Sequence, residues 1–400
     1  EKGLVSFINF RYMNDKKQSG EVDFDPDRDR GATNRWGSEI NTQRLDLATK
    51  VGYVFKDMPF QSIGFQNAFT LHDQNSYYGL NVYDIKQSSF YSNLIFNSII
   101  NNTKHKFATG INFAYDNYNE FVGLTDYGRV DNSVGAFFEY TYDNDDNFSL
   151  VLGGRVDNHN RLGTFVTPRL HLRYNPWEKS VLRFSAGRGK RAANIFAENQ
   201  SLFASSRTFS ILDTDGKIYG LNPEIAWNYG LSFNQKFQLF GRNGDAGFDL
   251  YRTDFQNQAV VDVMQSPQQV LFYNLKGKSY ATSLQIEFNY ELANRFSLRS
   301  AYKYYDIQTQ YLSGVYQRPL QAKHRFFGNL EYETGRSESG SQWRFDATYN
   351  WLGKQQLPVT ASNPAQDRLP EFSPSYNLIN AQVTHVFSSN FEIYVGGENI

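Results

Sequence analysis

The chain has 400 residues, no cysteine, and a formal charge of -1 from 40 basic and 41 acidic residues. That leaves no disulfide framework, no thiolate metal site and no basic surface for nucleic acid. Aromatic residues make up 16% while mean hydropathy is -0.58, the pairing expected when apolar rings cover one face of a sheet and polar groups the other.

Period-two alternation predicts about 17 strands, near 3–13, 41–56, 60–72, 81–101, 105–117, 129–142, 147–158, 164–175, 180–190, 223–238, 245–256, 270–290, 296–307, 323–334, 341–352, 374–387 and 390–400. In the strand near 341–352, Trp343, Phe345, Ala347, Tyr349 and Trp351 alternate with Gln342, Arg344, Asp346, Thr348 and Asn350. Helical spacing cannot produce that pattern. No apolar stretch reaches the roughly 18 residues of a membrane helix; the richest, 90–100, is broken by Ser92, Asn93, Asn97 and Ser98.

Short polar connections, such as 56–59, 101–104, 143–146 and 388–389, alternate with long ones at 14–40, 117–128, 191–222, 257–269, 308–322 and 353–373. Tight turns at one end of a sheet and long loops at the other are the pattern of outer-membrane barrels. Most prolines fall in turns, loops or strand starts, with Pro168 the exception early in a strand. The predicted fold is all-β: a transmembrane, antiparallel, up-and-down β-barrel in the outer membrane of a Gram-negative bacterium. Single-chain bacterial barrels close with an even number of strands. An odd count and an end at Glu398-Asn399-Ile400 lead to the expectation that residues 1–400 are a partial barrel domain, lacking an N-terminal plug domain and a closing strand.

Several segments resemble the barrel of TonB-dependent receptors, particularly those of Bacteroidetes. They are Thr167-Pro168-Arg169-Leu170, Tyr174-Asn175-Pro176, Arg183-Phe184-Ser185-Ala186-Gly187-Arg188-Gly189-Lys190-Arg191, Leu221-Asn222-Pro223-Glu224, Tyr251-Arg252-Thr253-Asp254-Phe255, Asn274-Leu275-Lys276-Gly277 and Gly396-Gly397-Glu398-Asn399. Lys190 stands where the family usually has an aromatic residue, and Ala193 where it usually has proline. The resemblance implies a barrel of about 22 strands around a plug, with TonB engaged through an N-terminal box absent from this sequence. It also implies energy-coupled import of a scarce, bulky nutrient: an iron-siderophore, haem, cobalamin, another metal complex or an oligomeric nutrient. Outer-membrane lipid and a surface lipoprotein are further expected partners. The competing expectation is a passive porin, or a secretion or adhesion barrel, without energy coupling.

No catalytic constellation stands out, and the six histidines show no metal-binding spacing. The longest central loop, 191–222, places Asn194, Glu198, Asn199, Ser205, Ser206 and Arg207 beside Phe196, Phe203 and Phe209. Apolar walls with a few oriented polar groups suit a ligand, so these six are the leading substrate-contact candidates. A loop that folds over its own aromatics is the alternative. Tyr77, Tyr78, His72 and His159, near predicted outer strand ends, are secondary candidates. Asp23, Asp25, Asp27 and Asp29 are spaced two apart in the first long loop, which suggests a structural Ca²⁺, although the spacing is not that of an EF-hand.

Overall fold

The computed structural model describes residues 3–400. In chain order its strands are β1 (Leu4–Gly20), β2 (Gly37–Val54), β3 (Ser62–Tyr78), β4 (Asn81–Ile100), β5 (Asn102–Val122), β6 (Thr125–Asp126), β7 (Arg129–Asp143), β8 (Phe148–His159), β9 (Gly163–Tyr174), β10 (Ser180–Arg191), β11 (Thr208–Ile211) and β12 (Glu224–Leu239). There follow β13 (Arg242–Asn257), β14 (Ala259–Asp262), β15 (Gln269–Asn274), β16 (Ser279–Ala293), β17 (Phe296–Tyr311), β18 (Gly314–Gln317), β19 (His324–Glu333), β20 (Gln342–Leu352), β21 (Tyr376–Ser388) and β22 (Phe391–Gly397). Among the described residues, 19 strands form one antiparallel sheet, and β11, β15 and β14 form a separate small sheet.

The large sheet is a meander, each long strand pairing with the next, so register follows from the hairpins. Between β12 and β13, Phe240 and Gly241 both have positive φ, 52° and 75°. A two-residue turn of that geometry matches the twist of the strands it joins. Pro168 is accommodated within β9, opposite Gly154 of β8.

Alternation along each strand makes two faces. Phe65, Leu94, Ile111 and Phe138 lie exposed on the outer one, while Gln74, Asn112, Asp131 and Asp157 lie buried on the inner one. Rings gather at the short-turn end, where Phe96 meets Phe107, Tyr142 meets Phe148, Phe237 meets Phe288, Phe296 meets Tyr332 and Phe387 meets Phe391. Such a girdle suits the boundary between water and hydrocarbon.

Several strands run past their predicted ends. β1 continues to Gly20 because Asn14, Asp15 and Lys16 pair with Gln43, Thr42 and Asn41 of β2, and β5 continues to Val122 against β4. Alternation fades where both faces meet water, but backbone pairing does not. The strand predicted over 270–290 is two elements: β15 leaves the wall for the small sheet, and β16 begins at Ser279. Its continuous apolar run, Val270 to Tyr273, is buried on every side and so carried no alternation to mark the break.

Candidate functional site

The long loops at one end fold into a cap. Loop 192–223 contributes a 3-10 helix, Ala197–Ala204, and β11; loop 258–278 contributes β14 and β15. β11 runs parallel to β15, and β14 antiparallel to it. Ile195, Phe196, Phe203, Val270 and Phe272 are almost completely buried and pack against Tyr83 and Ile85 of β4. Phe203 lies 5.3 Å from the Tyr83 ring and 4.6 Å from Phe209. A loop that leaves β10 and packs on β4 must cross a chord of the curved wall. Asn81 Nδ2 fixes that crossing by donating to the carbonyls of Phe203 at 2.8 Å and Ser205 at 2.9 Å.

The second tie between cap and wall is ionic. Arg129, the first residue of β7, donates to Glu120 Oε2 at 3.0 Å, to Tyr219 Oη at 2.7 Å and to Asp131 Oδ2 at 3.1 Å, and also reaches Asn194 Oδ1. Its guanidinium lies over the Tyr118 and Tyr219 rings, 3.9 and 4.7 Å from their centroids. Tyr83 Oη donates to Glu120 Oε1 at 3.0 Å, Tyr219 Oη donates to Glu120 Oε2, and Arg161 pairs with Asp131 at 2.9 Å. Burial pushes the Tyr219 hydroxyl well above the usual tyrosine range, so it stays protonated and donates. With two carboxylates matched by two guanidiniums, this cluster is a latch.

Below the cap, on the inner side, lies a cleft of about 790 Å³. Its polar lining includes Arg191, Glu198, Asn199, Ser205, Arg207, Glu224, Gln258 and Arg318, and its apolar lining Phe255, Val260 and Ile307. Arg191 donates to Glu198 through both terminal nitrogens at 2.9 Å and to Glu224 through Nε at 2.7 Å. Arg207 reaches only the Val263 carbonyl, at 3.4 Å, and burial pushes its guanidinium below the usual arginine range. Among the described residues, neither Arg207 nor Arg318 has a carboxylate within 4 Å.

The structure therefore brings four of the six leading candidates, Glu198, Asn199, Ser205 and Arg207, to this cleft. Asn194 belongs to the latch, and Ser206 is exposed outside the lining. Asn199 and Ser205 also bond within their own loop, to the carbonyls of Ile195 and Leu202. Phe196 and Phe203 are cap interior. Tyr78 donates to Gln200, and Tyr77 is buried beneath Arg30, 4.7 Å above its ring. His72 sits half-buried on the wall, its Nδ1 without a partner. His159 Nδ1 accepts the backbone N–H groups of Arg161 and Leu162, stitching the β8–β9 turn.

The acidic loop does not converge on a point. Asp25 caps the short helix α1 (Pro26–Asp29) by accepting from the Asp27 N–H, while Asp29, 1% exposed, accepts from Arg28 Nε at 2.8 Å and Asn34 Nδ2 at 3.0 Å. Among the described residues no three His, Asp or Glu side chains are close enough to hold a metal. Sequence reading missed Arg191, Glu224, Gln258 and Arg318. The first two stood inside motifs already quoted, and the others only the fold could bring in.

Comparison with known proteins places this geometry. The family model described as TonB dependent receptor-like, beta-barrel matches residues 5–400. No curated protein matches the sequence. Among solved structures, the alcaligin outer-membrane receptor FauA of Bordetella pertussis is 14% identical with a TM-score of 0.63, covering 99% of this chain and 63% of its own. The siderophore receptor PiuA of Acinetobacter baumannii is 13% identical with a TM-score of 0.66, covering 99% and 68%. FpvA of P. aeruginosa, solved bound to heterologous pyoverdines, is 12% identical with a TM-score of 0.63, covering 99% and 63%. At such identities the likeness shows the fold, and this chain spans 63% of the length of the FauA chain.

Proposed function

This chain belongs to the TonB-dependent receptor β-barrel family, and from that we propose that it serves energy-coupled uptake of a scarce, bulky solute. It is an outer-membrane β-barrel of a Gram-negative bacterium, from a family of transport receptors rather than enzymes. The observation that carries the uptake reading is the cleft of about 790 Å³ beneath a folded cap. Its size falls in the range of roughly 300–1,000 Å³ typical of small-molecule sites. Loop 192–223 supplies much of its lining, so the solute would touch Glu198, Asn199, Ser205 and Arg207. A plug domain of the same receptor and the TonB complex would supply gating and energy; neither lies in the structure described. An iron-siderophore is the cargo best supported, because the alcaligin, siderophore and pyoverdine receptors share the fold.

The test is uptake of radiolabelled ferric siderophores, haem and cobalamin by cells carrying the full-length gene, with and without functional TonB. Accumulation of one solute that disappears without TonB is the expected result. Accumulation indifferent to TonB would replace this reading with a passive porin.

A further inference from the structure

The outer, lipid-facing side of the wall carries cations in one sector and at one height. Side chains directly opposite one another on paired strands share a face. Register therefore carries the outer face from Leu152 of β8 through Leu170, Ala186 and Tyr229 to Arg252 of β13, Thr282 of β16 and Asp306 of β17. The next row toward the long loops is Arg188, Trp227, Asp254 and Tyr280. Arg252 lies ten residues beyond Arg242, where β13 leaves its short turn. At about 3.3 Å per residue and a strand tilt of about 40°, that is a rise of about 25 Å, the height of the apolar band of an outer-membrane barrel. Arg252 thus sits where hydrocarbon gives way to the headgroups of the outer leaflet. At ten or eleven residues from the short-turn ends of earlier strands, the outward side chains include Gln43, Asp73, Phe90, Asn132, Asn158 and Thr164, and no Lys or Arg among the described residues.

The cations are held in place. Arg252 donates to Asp254 Oδ1 through Nε at 2.9 Å and Nη2 at 2.7 Å, and to Thr282 Oγ1 through Nη1 at 2.8 Å, with its guanidinium 3.8 Å from the centroid of the Tyr280 ring. Tyr280 Oη donates to Asp306 at 3.1 Å, and Lys323 Nζ lies 3.6 Å from the same carboxylate and 5.4 Å over the Tyr304 ring. Arg188 reaches across β12 to Gln256 Oε1 at 3.3 Å and to the Val166 carbonyl at 3.1 Å, and has no carboxylate partner among the described residues. Trp227 and Tyr229 stack between these groups, 6.2 Å apart and 8° from parallel. Every strand from β9 to β17 that contributes here is paired on both sides, so this stretch of the face is complete within the chain, and a segment inside the barrel cannot reach it.

We propose that Arg188, Arg252 and Lys323, with the Trp227–Tyr229 stack beside them, form a docking site for the phosphorylated glycolipid of the outer leaflet. The long-loop end faces the cell exterior, so the headgroups at this height are sugars bearing phosphate. Asp254 and Asp306 orient two of the cations, and Arg188 leaves the patch with a net positive charge that a phosphate matches. Guanidinium groups take phosphate oxygens through paired, charge-assisted hydrogen bonds, and flat stacked rings offer a surface for the sugar that carries them. Aromatic rings alone would anchor the barrel at the boundary, as they do on the strands before β10. The inference needs only the membrane location, and is independent of cargo and of energy coupling.

The experiment titrates purified full-length receptor in detergent with diphosphoryl lipid A, with dephosphorylated lipid A and with phosphatidylglycerol, and counts retained lipid by native mass spectrometry. Diphosphoryl lipid A should bind at least about tenfold more tightly than either of the others. R188Q should weaken it by about tenfold, the scale of a lost charge-assisted hydrogen bond, and R188Q/R252Q further, while K86Q, on the outer side of β4 above this height, changes nothing. Arg188 holds no carboxylate, so R188Q strands no buried charge, and heat-modifiable migration on a gel checks that each variant folds. Excess inorganic phosphate should not displace the lipid, because the acyl chains add apolar contact that the free ion lacks. Equal retention of the dephosphorylated lipid, retention unchanged in R188Q/R252Q, or displacement by inorganic phosphate overturns the proposal. Equal retention of phosphatidylglycerol also overturns it, reducing the patch to a general anionic boundary.

Discussion

Arg129 and Glu120 form an ion pair at 3.0 Å with both side chains at most 5% exposed, on adjacent strands at the mouth of the wall. Removing one member of a buried pair strands the other, at a cost of about 3–5 kcal/mol. Arg129→Met should therefore free loop 192–223, which Tyr219 and Asn194 tie to this pair. Hydrogen exchange should quicken across 194–221 and stay unchanged in β8 and β9. Uniform quickening in all three would refute a local latch.

Phe203 tests the other tie. It is 1% exposed, between Tyr83 and Phe209. Phe203→Ala should destabilise the cap by about 3–5 kcal/mol, the usual result of emptying an aromatic site in a packed interior. Protease should then cut within 197–211 while the heat-resistant folded band of the barrel persists on a gel. Cleavage no faster than wild type would mean the cap does not depend on this ring.

The two faces of the wall should tolerate charge very differently. Ile111, 58% exposed, is central on the outer face, and Ser232 is central on the inner face. Ile111→Lys should cost about 2–4 kcal/mol in bilayer refolding, as a lysine at mid-membrane does, whereas Ser232→Lys should cost under about 1 kcal/mol. Equal costs would contradict the assignment of faces.

The loop 21–36 offers a pH test. Arg28 first, then the Asp25 N–H and Asn34, holds the Asp29 carboxyl far below its ordinary range. A folded-state pKa below the unfolded one means stability that is complete above about pH 3.9, the free aspartate value, and is lost as pH falls from there through the folded value. Exchange at residues 25–34 should stay slow near neutrality and rise only in strong acid, while Asp29→Asn should be fast throughout. Added Ca²⁺ should change neither profile, because the four aspartates do not converge; slowed exchange on adding Ca²⁺ would show otherwise.

How much of this was written along the chain follows from the range of the interactions involved. Alternation is local, so Trp343, Phe345 and Tyr349 against Arg344, Asp346 and Asn350 marked a strand and its two faces before any partner was known. Turn residues and loop lengths are local too, and a meander needs little else to set its order, so the 17 long strands and the division into a short-turn end and a long-loop end were legible. Sequence also pointed to loop 191–222, because polar and aromatic residues are dense there. What it could not decide was which side chains that loop would meet. Asn194 was within reach of the ligand candidates along the chain, yet Arg129, 65 residues away, claims it for the latch. Arg191 and Glu224 are separated by 33 residues and become register partners only when β10 pairs with β12. Pairing and curvature are long-range, and they turned scattered charges into a latch and a cleft.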